Sequence, residues 1–355
     1  MSALRAPRTT GKVRPARLTD LAALGELSRL CQSDSANTRS LGLPVNGPPI
    51  GVFSLFRLPL GAFRPNDLMY VYDDQGHIAG LVRVEREAVR DEWTIVELDA
   101  VGMANAGDIR FRLVQLLLRE GAKRGAARFH VACADADDNI ELLMQAGFMR
   151  YGEERILFRS DEQPLPASWP EKRVVAARIR STTSLDAIAL ARLYAQATPQ
   201  PVARLEALRL VDWERQGAHL RVPRSSLTPI LRFADVEGYV QAAPDGGSDG
   251  TQVDAYLQVG VAKEDQPHYL KVIARPDADV SELIDFGLGV IAAQTSRGGD
   301  HRHERGVIAP VRTYESPIDR RMEDAGFDSI ANVTLLMKET LVRVAEPALV
   351  PAGVR

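Results

Sequence analysis

Two short segments of this chain repeat at a domain-sized interval. Residues 144–148 (MQAGF) and 323–327 (EDAGF) lie about 180 residues apart, and each follows an amphipathic helical pattern and precedes a strand-like run. A glycine just after a helix can adopt the left-handed conformation that ends it, and the phenylalanine can then pack back on the last turns. One such junction is a common helix ending, but two in matching order indicate a duplicated unit.

The chain is long enough for two such units. It has 355 residues, whereas single hydrophobic cores stop growing at about 250–300 residues. Apolar residues make up 45% and charged residues 26%, which is the balance of a soluble globular protein. The formal charge of −3 provides no general basic field, so neither nucleic acid nor an anionic membrane is favoured as a partner.

The sequence also indicates a cytoplasmic protein. No apolar run approaches the roughly 20 residues of a membrane helix, and the first residues lack the apolar stretch of a signal peptide. The two cysteines, Cys31 and Cys133, form no CxxC pair, which suits a reducing compartment and excludes a cysteine-based zinc site. His301 and His303 form an HxH pattern in a glycine-flanked loop without a third ligand, so we predict no metal.

Hydrophobic periodicity predicts one order of elements twice. The first series has a strand at 13–18, a helix capped by Thr19, strands at 68–72, 78–87 and 93–101, a helix at 109–124, a strand at 127–133, the first junction and a strand at 154–158. The second has a strand at 174–180, a helix at 185–195, strands at 229–233, 238–243, 253–261 and 268–274, a helix at 280–294, a strand at 306–311, the second junction and a strand at 333–338. Between them, a polar proline-rich stretch predicts a linker. We therefore predict domains at 13–160 and 174–344, joined by residues 161–173.

This order of elements resembles the GNAT superfamily of acyl-CoA-dependent N-acyltransferases. The likeness is closest at 127–158, where a strand, a helix, the Gly-Phe junction and a strand follow one another, and it extends over 13–158 and more weakly over 174–344. The resemblance implies an α/β fold with a mixed sheet in two tandem GNAT-like domains. It also implies acetyl-CoA or another acyl-CoA as co-substrate, no metal and a small amine as acyl acceptor. A homodimer is compatible with it.

The family's diphosphate loop, Q/R-x-x-G-x-G/A, falls on residues 105–110 of this chain. Asp108 and Arg110 occupy its two glycine positions. By this resemblance Asp108 would repel the diphosphate of CoA, whereas Arg110 and Arg112 would bind it ionically. The alternative is that Asp108 caps the helix and both arginines are solvated.

The second half departs further from that loop. Residues 274–280 run directly into the next helix without a glycine loop, and Asp279 and Glu282 fit a capping box that satisfies the helix amides internally. CoA binding by the family's usual route is therefore not expected there. Arg275 offers a phosphate clamp instead.

Two carboxylates are the candidate catalytic residues. Glu97 and Asp99 lie two apart on a predicted strand, hence on one face, and the resemblance places the general base there. Their mutual repulsion would raise one pKa, although the polar face of a half-solvated strand is the simpler interpretation. The amides of Val101 and Met103 are the oxyanion donors that the resemblance implies.

The family's usual acid, a tyrosine five residues before the junction phenylalanine, is absent from both halves. Its positions hold Leu143 and Met322, although Tyr151 and Tyr314 lie nearby. We expect an N-acyltransferase whose first half carries the more complete site. Two alternatives stay open: a non-catalytic protein that binds a ligand or another protein, and a functional cleft between the halves.

Overall fold

A computed structural model defines most of the chain. It describes residues 11–32, 38–39, 41–45, 67–87, 91–102, 105–136, 138–163, 178–214, 224–243, 252–263, 266–297 and 305–340. We call residues 11–163 of this set the first module and residues 178–340 the second module.

The first module alternates strands and helices in the predicted order. Its elements are β1 (Lys12–Pro15), α1 (Leu21–Gln32), β2 (Thr38–Arg39), β3 (Asp67–Asp74), β4 (His77–Glu87), β5 (Glu92–Val101), α2 (Ala106–Lys123), β6 (Arg128–Ala134), α3 (Asn139–Gln145) and β7 (Met149–Arg159). In α2 the buried positions recur every three or four residues, so one apolar side packs on the sheet.

The second module repeats this order with two additional helices after its first one and without a described counterpart of β2. Its elements are β8 (Ile179–Ser181), α4 (Ala187–Ala197), α5 (Gln200–Glu206), α6 (Leu210–Glu214), β9 (Phe233–Ala242), β10 (Val253–Ala262), β11 (His268–Ala274), α7 (Ser281–Arg297), β12 (Val307–Arg312), α8 (Ser316–Asp324) and β13 (Asp328–Glu339).

Two details of the prediction are wrong. Thr19 does not cap α1, because it lies inside a short 3-10 turn whose N-cap is Arg17. The strand predicted at 229–233 is absent apart from Phe233, which begins β9; residues 227–231 form a turn in which the amide of Leu231 donates to the carbonyl of Leu227 at 2.9 Å. Leu227 and Leu231 are buried against the sheet, so their apolar character reflects packing and not strand pairing.

The two Gly-Phe junctions have the predicted geometry. Gly147 and Gly326 have φ of +88° and +86°. In both, the amide of the phenylalanine donates to a carbonyl five residues earlier at 3.0 Å, which is the Schellman ending of a helix. Phe148 and Phe327 are 3% and 2% exposed, so each packs into the core as expected.

A second repeated device precedes the first helix of each module. The carboxylate of Asp20 accepts the backbone amide of Arg17 and pairs with Arg14 at 2.7 Å. Asp186 does the same with the amide of Thr183 and with Arg180, at 2.8 and 2.6 Å. The sequence carries this signal as an arginine six residues before an aspartate in both halves, and our sequence reading did not use it.

The strands form one continuous sheet in which the modules exchange their last strands. The order of the 13-stranded sheet is β1-β3-β4-β5-β6-β13-β7-β12-β11-β10-β9-β8, with β2 beside β5. Thus β13 of the second module lies against β6 of the first, and β7 of the first lies against β12 of the second. Leu336 consequently packs in the first module's core and Leu157 in the second's.

Helices cover both faces of this sheet. The apolar clusters on one face include residues of α2 and α3 in the first module and of α7 and α8 in the second. On the other face, α1 covers the first module and α4 to α6 cover part of the second. Residues 224–231 of the second module cross the centre of that face, and we call them the bridging segment.

Candidate functional site

The first module opens between two parallel strands. β5 and β6 pair only from Glu92–Arg128 to Ile95–Val131, and then they diverge. Farther along, β2 pairs with β5 opposite Ala100 and Val101. Residues 96–99 therefore face the gap without a strand partner on that edge among the described strands. Backbone amides in such a window are available to hold a developing oxyanion.

A bulge in β5 lies at the start of this window. Arg83 of β4 is opposite Glu97, whereas the next residue, Val84, is opposite Ile95, so Val96 is the extra residue. A bulge bends its strand and redirects the neighbouring side chains. Of the predicted oxyanion donors, Val101 lies opposite Thr38 in the β2 pairing, and Met103 falls outside the described residues. Their role stays a prediction.

Glu97 and Asp99 lie together beneath α1. They are 9% and 2% exposed, so the polar face of a half-solvated strand does not describe them. Ser28 of α1 donates to Glu97 at 2.7 Å, and Arg83 lies 3.0 Å from its second oxygen. Burial, and then the adjacent charge of Glu97, raises the pKa of Asp99 well above its usual value. The expected pKa asymmetry of the pair is therefore present, and it falls on Asp99.

Arg110 lies inside the opening and is not solvated. Its side chain is 1% exposed and donates to Oδ1 of Asn139 at the start of α3. Its charge acts against the rise in the pKa of Asp99 and against the burial that raises the pKa of Cys133 to about 12. The guanidinium thus lies where the two strands diverge, and its predicted contact with a CoA diphosphate stays a prediction.

Asp108 and Arg112 pair with each other on the surface of α2. Their side chains are 48% and 42% exposed and lie 2.9 Å apart. The N-cap of α2 is Asn105 and not Asp108, and the first helical amide, of Ala106, donates to the carbonyl of Gly102 at 3.1 Å. A diphosphate at this helix start would meet the Asp108 carboxylate beside the Arg112 cation.

The opening of the second module is filled by an ion pair. β11 and β12 pair in parallel only at His268–Val307 and Tyr269–Ile308. Beyond that point Lys271, 1% exposed, lies 2.8 Å from Glu315 and donates to the carbonyl of Pro310 at 3.2 Å. In the connection from β11 to α7, the carboxylate of Asp279 accepts the backbone amide of Ser281 at 3.1 Å. Opposite charges therefore satisfy each other where a substrate would have to enter.

A buried arginine links the two modules next to this ion pair. Arg312 of β12 lies 2.9 Å from Glu154 of β7 and 2.7 Å from Glu206. It also donates to the carbonyl of Arg224 at 2.9 Å, and the amide of Ser226 donates to Glu154 at 2.8 Å. Arg312 of the second module and Glu154 of the first thus both hold the bridging segment against the sheet.

A small cavity lies between the bridging segment and the point where β5 and β6 diverge. Its volume is about 30 Å³, which is room for about two water molecules. Ile95, Val96 and His130 of the first module line one side, and Ser225, Ser226 and Ile230 of the second line the other. A cavity between the halves therefore lies where the strands of the first module begin to diverge, and a functional cleft between the halves stays a prediction.

One carboxylate joins the charged groups around this cavity. Glu92 is 1% exposed and lies 3.4 Å from both Nη1 of Arg128 and Nε2 of His130, and it pairs with Arg224. Our sequence reading did not find this cluster, because Glu92, His130 and Arg224 come from three separate segments. Only the register of β5 on β6, which the sequence does not specify, brings the first two together.

No model of a known protein family and no curated protein matches this sequence. Among solved structures, a tandem GNAT protein from the clavulanic acid biosynthesis pathway matches 93% of this chain and 98% of its own, with a TM-score of 0.54 and 13% identity. This chain has a tandem GNAT-like fold. A GCN5-related N-acetyltransferase from Sphaerobacter thermophilus matches 94% of this chain and 97% of its own, with a TM-score of 0.52 and 16% identity.

The tandem GNAT-like fold confirms the predicted fold class and the resemblance on which it rested. The predicted domain bounds stay a prediction, and residues 164–177 lie outside the described ones. Within the described ranges, no helix has the length and apolarity to cross a bilayer, and no three His, Cys, Asp or Glu side chains are grouped as a metal site requires. His301 and His303 lie outside those ranges.

Proposed function

We propose that this protein is an acyl-CoA-dependent N-acyltransferase, with acetyl-CoA as the simplest donor and a small amine as acceptor. The tandem GNAT-like fold, shared with a protein described as a GCN5-related N-acetyltransferase, supports the reaction class. The carrying observation is the buried Glu97–Asp99 pair beside the unpaired window of β5 at residues 96–99.

The window and the carboxyl pair suit two needs of amine acylation. The thioester carbonyl becomes an oxyanion during attack, and strand amides facing the gap can donate to it. An amine is a nucleophile only after its ammonium has lost a proton, and a carboxyl with a raised pKa can take one near neutral pH. Asp99 has that property because it is desolvated beside Glu97. We assign Asp99 as the base and Glu97 as the charge that raises its pKa.

The first module fits the acyl end of the donor better than the diphosphate end. The helix start that would meet a diphosphate presents the Asp108 carboxylate, with Arg112 paired to it. We infer that Arg112 provides the cationic contact and that donor affinity is modest. The second module acts as a structural partner, since Lys271 and Glu315 occupy its opening.

The test has a binding part and a turnover part. Calorimetry with acetyl-CoA measures binding, and CoA release in the presence of amino acids or polyamines, followed with dithionitrobenzoate, measures turnover. Asp99→Asn should keep the affinity for acetyl-CoA and lower kcat by about a hundredfold or more. An unchanged kcat would refute Asp99 as the base, and no binding at millimolar acetyl-CoA would refute the enzyme.

A second candidate function rests on Arg110. Its buried guanidinium and Asn139 lie at the opening through which the donor would have to extend. A protein that has lost acyl transfer and retains a ligand- or protein-binding role would have such an arrangement. The same titration separates the two, because only the enzyme binds acetyl-CoA and releases CoA.

A further inference from the structure

The proposed reaction removes two protons from the amine nitrogen, and Asp99 is assigned to only the first of them. The ammonium loses one proton before attack, and the attacking nitrogen must lose a second from the tetrahedral intermediate. The departing thiolate gains one, so the net products are the amide, the free thiol of CoA and one released proton. A group that takes the second proton from nitrogen and returns it to sulfur would serve both steps.

His130 is placed for that task. It is on β6 immediately before the strand diverges from β5, it is 4% exposed, and it lines the cavity between the modules. The bulge residue Val96 lines the same cavity, so His130 and the start of the unpaired amide window face one small volume. Glu97 and Asp99 lie farther along β5 beneath α1 and do not line it.

Glu92 is placed behind His130. Its Oε2 lies 3.4 Å from Nε2 of His130, and a carboxylate next to an imidazole fixes the ring's orientation and favours the imidazolium as it forms. Arg128 and Arg224 bind the same carboxylate, so Glu92 is held in place behind the ring.

Tyr151 is a further titratable group that contacts the histidine ring. Its ring packs edge-on at 6.2 Å between centroids, and burial raises its pKa to about 12, so it keeps its proton at neutral pH. It therefore does not compete with His130 for the proton of the amine. Tyr151 also lines the cavity, so its edge-on contact fixes the plane of the imidazole beside that space.

We propose that His130, oriented by Glu92, takes the second proton from the attacking amine nitrogen and delivers it to the departing thiolate. The nitrogen–carbon bond forms and the carbon–sulfur bond breaks, and the proton passes from nitrogen through the imidazole to sulfur. This proposal rests on the proposed N-acyltransferase function. It supplies the acid that the sequence lacks at Leu143 and Met322.

The second module takes part in this chemistry. Arg224 completes the charge environment of Glu92, and Ser225, Ser226 and Ile230 close the cavity over His130. Arg312 and Glu154 hold that bridging segment in place. The histidine therefore belongs to the first module, whereas the segment that covers the cavity beside it belongs to the second.

The test uses the full chain and three variants. His130→Gln should lower kcat by about a hundredfold or more, while the Kd for acetyl-CoA stays within about threefold of wild type. His77→Gln, at the exposed start of β4, is the matched control and should match wild type in both. His130→Ala opens a cavity in which added imidazole should restore CoA release, which a purely structural histidine would not show.

The outcomes are distinct from those for the proposed function. A wild-type protein that releases CoA, with His130→Gln equally fast, overturns the role of His130 alone. A His130→Ala variant that keeps its melting temperature and is not rescued by imidazole also overturns it. A wild-type protein that neither binds acetyl-CoA nor releases CoA overturns both proposals.

Discussion

The openings of the two modules have the same geometry and opposite electrostatics. In both, a parallel strand pair ends early and a buried charged side chain lies beyond it. In the second module Lys271 meets Glu315, an oppositely charged pair. In the first, Glu97 and Asp99 lie together with Arg83 paired to Glu97, and burial, followed by the charge of Glu97, raises the pKa of Asp99.

This difference separates structural from functional residues in a duplicated fold. The Gly-Phe junctions and the Arg–Asp caps are the same in both modules, because each ends or begins a helix that the fold requires. A buried like-charged pair contributes no such support, since burial and repulsion both act against its ionised form. Among the described residues at the two openings, only the first module has such a pair, and our assignment of the site depends on it.

The largest expected effect comes from breaking the second module's ion pair. Lys271→Met leaves Glu315 buried without its cation, and loss of one partner of a buried pair costs about 3–5 kcal/mol. Chemical denaturation would measure this. Lys123→Met, which removes the exposed partner of Glu120, is the control and should leave the midpoint unchanged. Equal effects of the two substitutions would mean that the second opening is not a closed structural site.

The next largest loss of stability is expected from substitutions in the exchanged strands, β7 and β13. Leu336 and Leu157 are fully buried, each in the core of the other module. Either Leu→Ala substitution should cost about 2–5 kcal/mol through lost burial and the cavity left behind. Hydrogen exchange should show Leu336→Ala weakening protection in α2 and Leu157→Ala in α7. The reverse pattern would contradict the strand exchange.

The helix endings should respond alike in both modules. Gly147→Ala and Gly326→Ala place a side chain at positive φ, at a cost of about 1–2 kcal/mol each. Gly107→Ala, in the first turn of α2 with open space around it, should instead stabilise by up to about 1 kcal/mol. Thermal unfolding measures all three, and a gain from either junction substitution would refute the Schellman geometry.

The smallest effects are the stability changes on replacing single aspartates by asparagine. These changes depend on pH in one direction for Asp20 and Asp186 and in the other for Asp99. Arg14 and Arg180 lower the pKa of Asp20 and Asp186, so their stabilisation is complete above the unfolded value of about 3.9 and is lost as the pH falls through the folded value. Asp20→Asn and Asp186→Asn should each cost about 1 kcal/mol at pH 7, and this cost should shrink as the pH falls below about 3.9.

Asp99 should behave in the reverse way, because its folded pKa is raised. Its ionisation in the folded state opposes folding at high pH, so Asp99→Asn should raise the melting temperature at pH 8 and leave it unchanged near pH 4. A lower melting temperature for this variant at pH 8 would mean that ionised Asp99 stabilises the fold, as Asp20 and Asp186 do, and would contradict the account.

Local signals in the sequence were sufficient for the elements and the duplication. Glycine followed by phenylalanine after an apolar helix specified both junctions, because helix endings depend on neighbouring residues only. Strand patterns located β5 and the Glu97–Asp99 pair on one face. Long-range register was not accessible: the exchange of β7 and β13, and the meeting of Glu92 with His130 and Arg224, depend on which strands pair. Arg110 was expected near a phosphate or in solvent, and only the packing of α2 on the opening shows it buried.

The central claim is that one module of the two carries the acyltransferase site. Isothermal titration calorimetry of the full chain with acetyl-CoA tests it through the stoichiometry. We expect one molecule bound per chain, with Lys271→Met leaving that number at one. Two molecules per chain, or none at millimolar acetyl-CoA, would contradict the account.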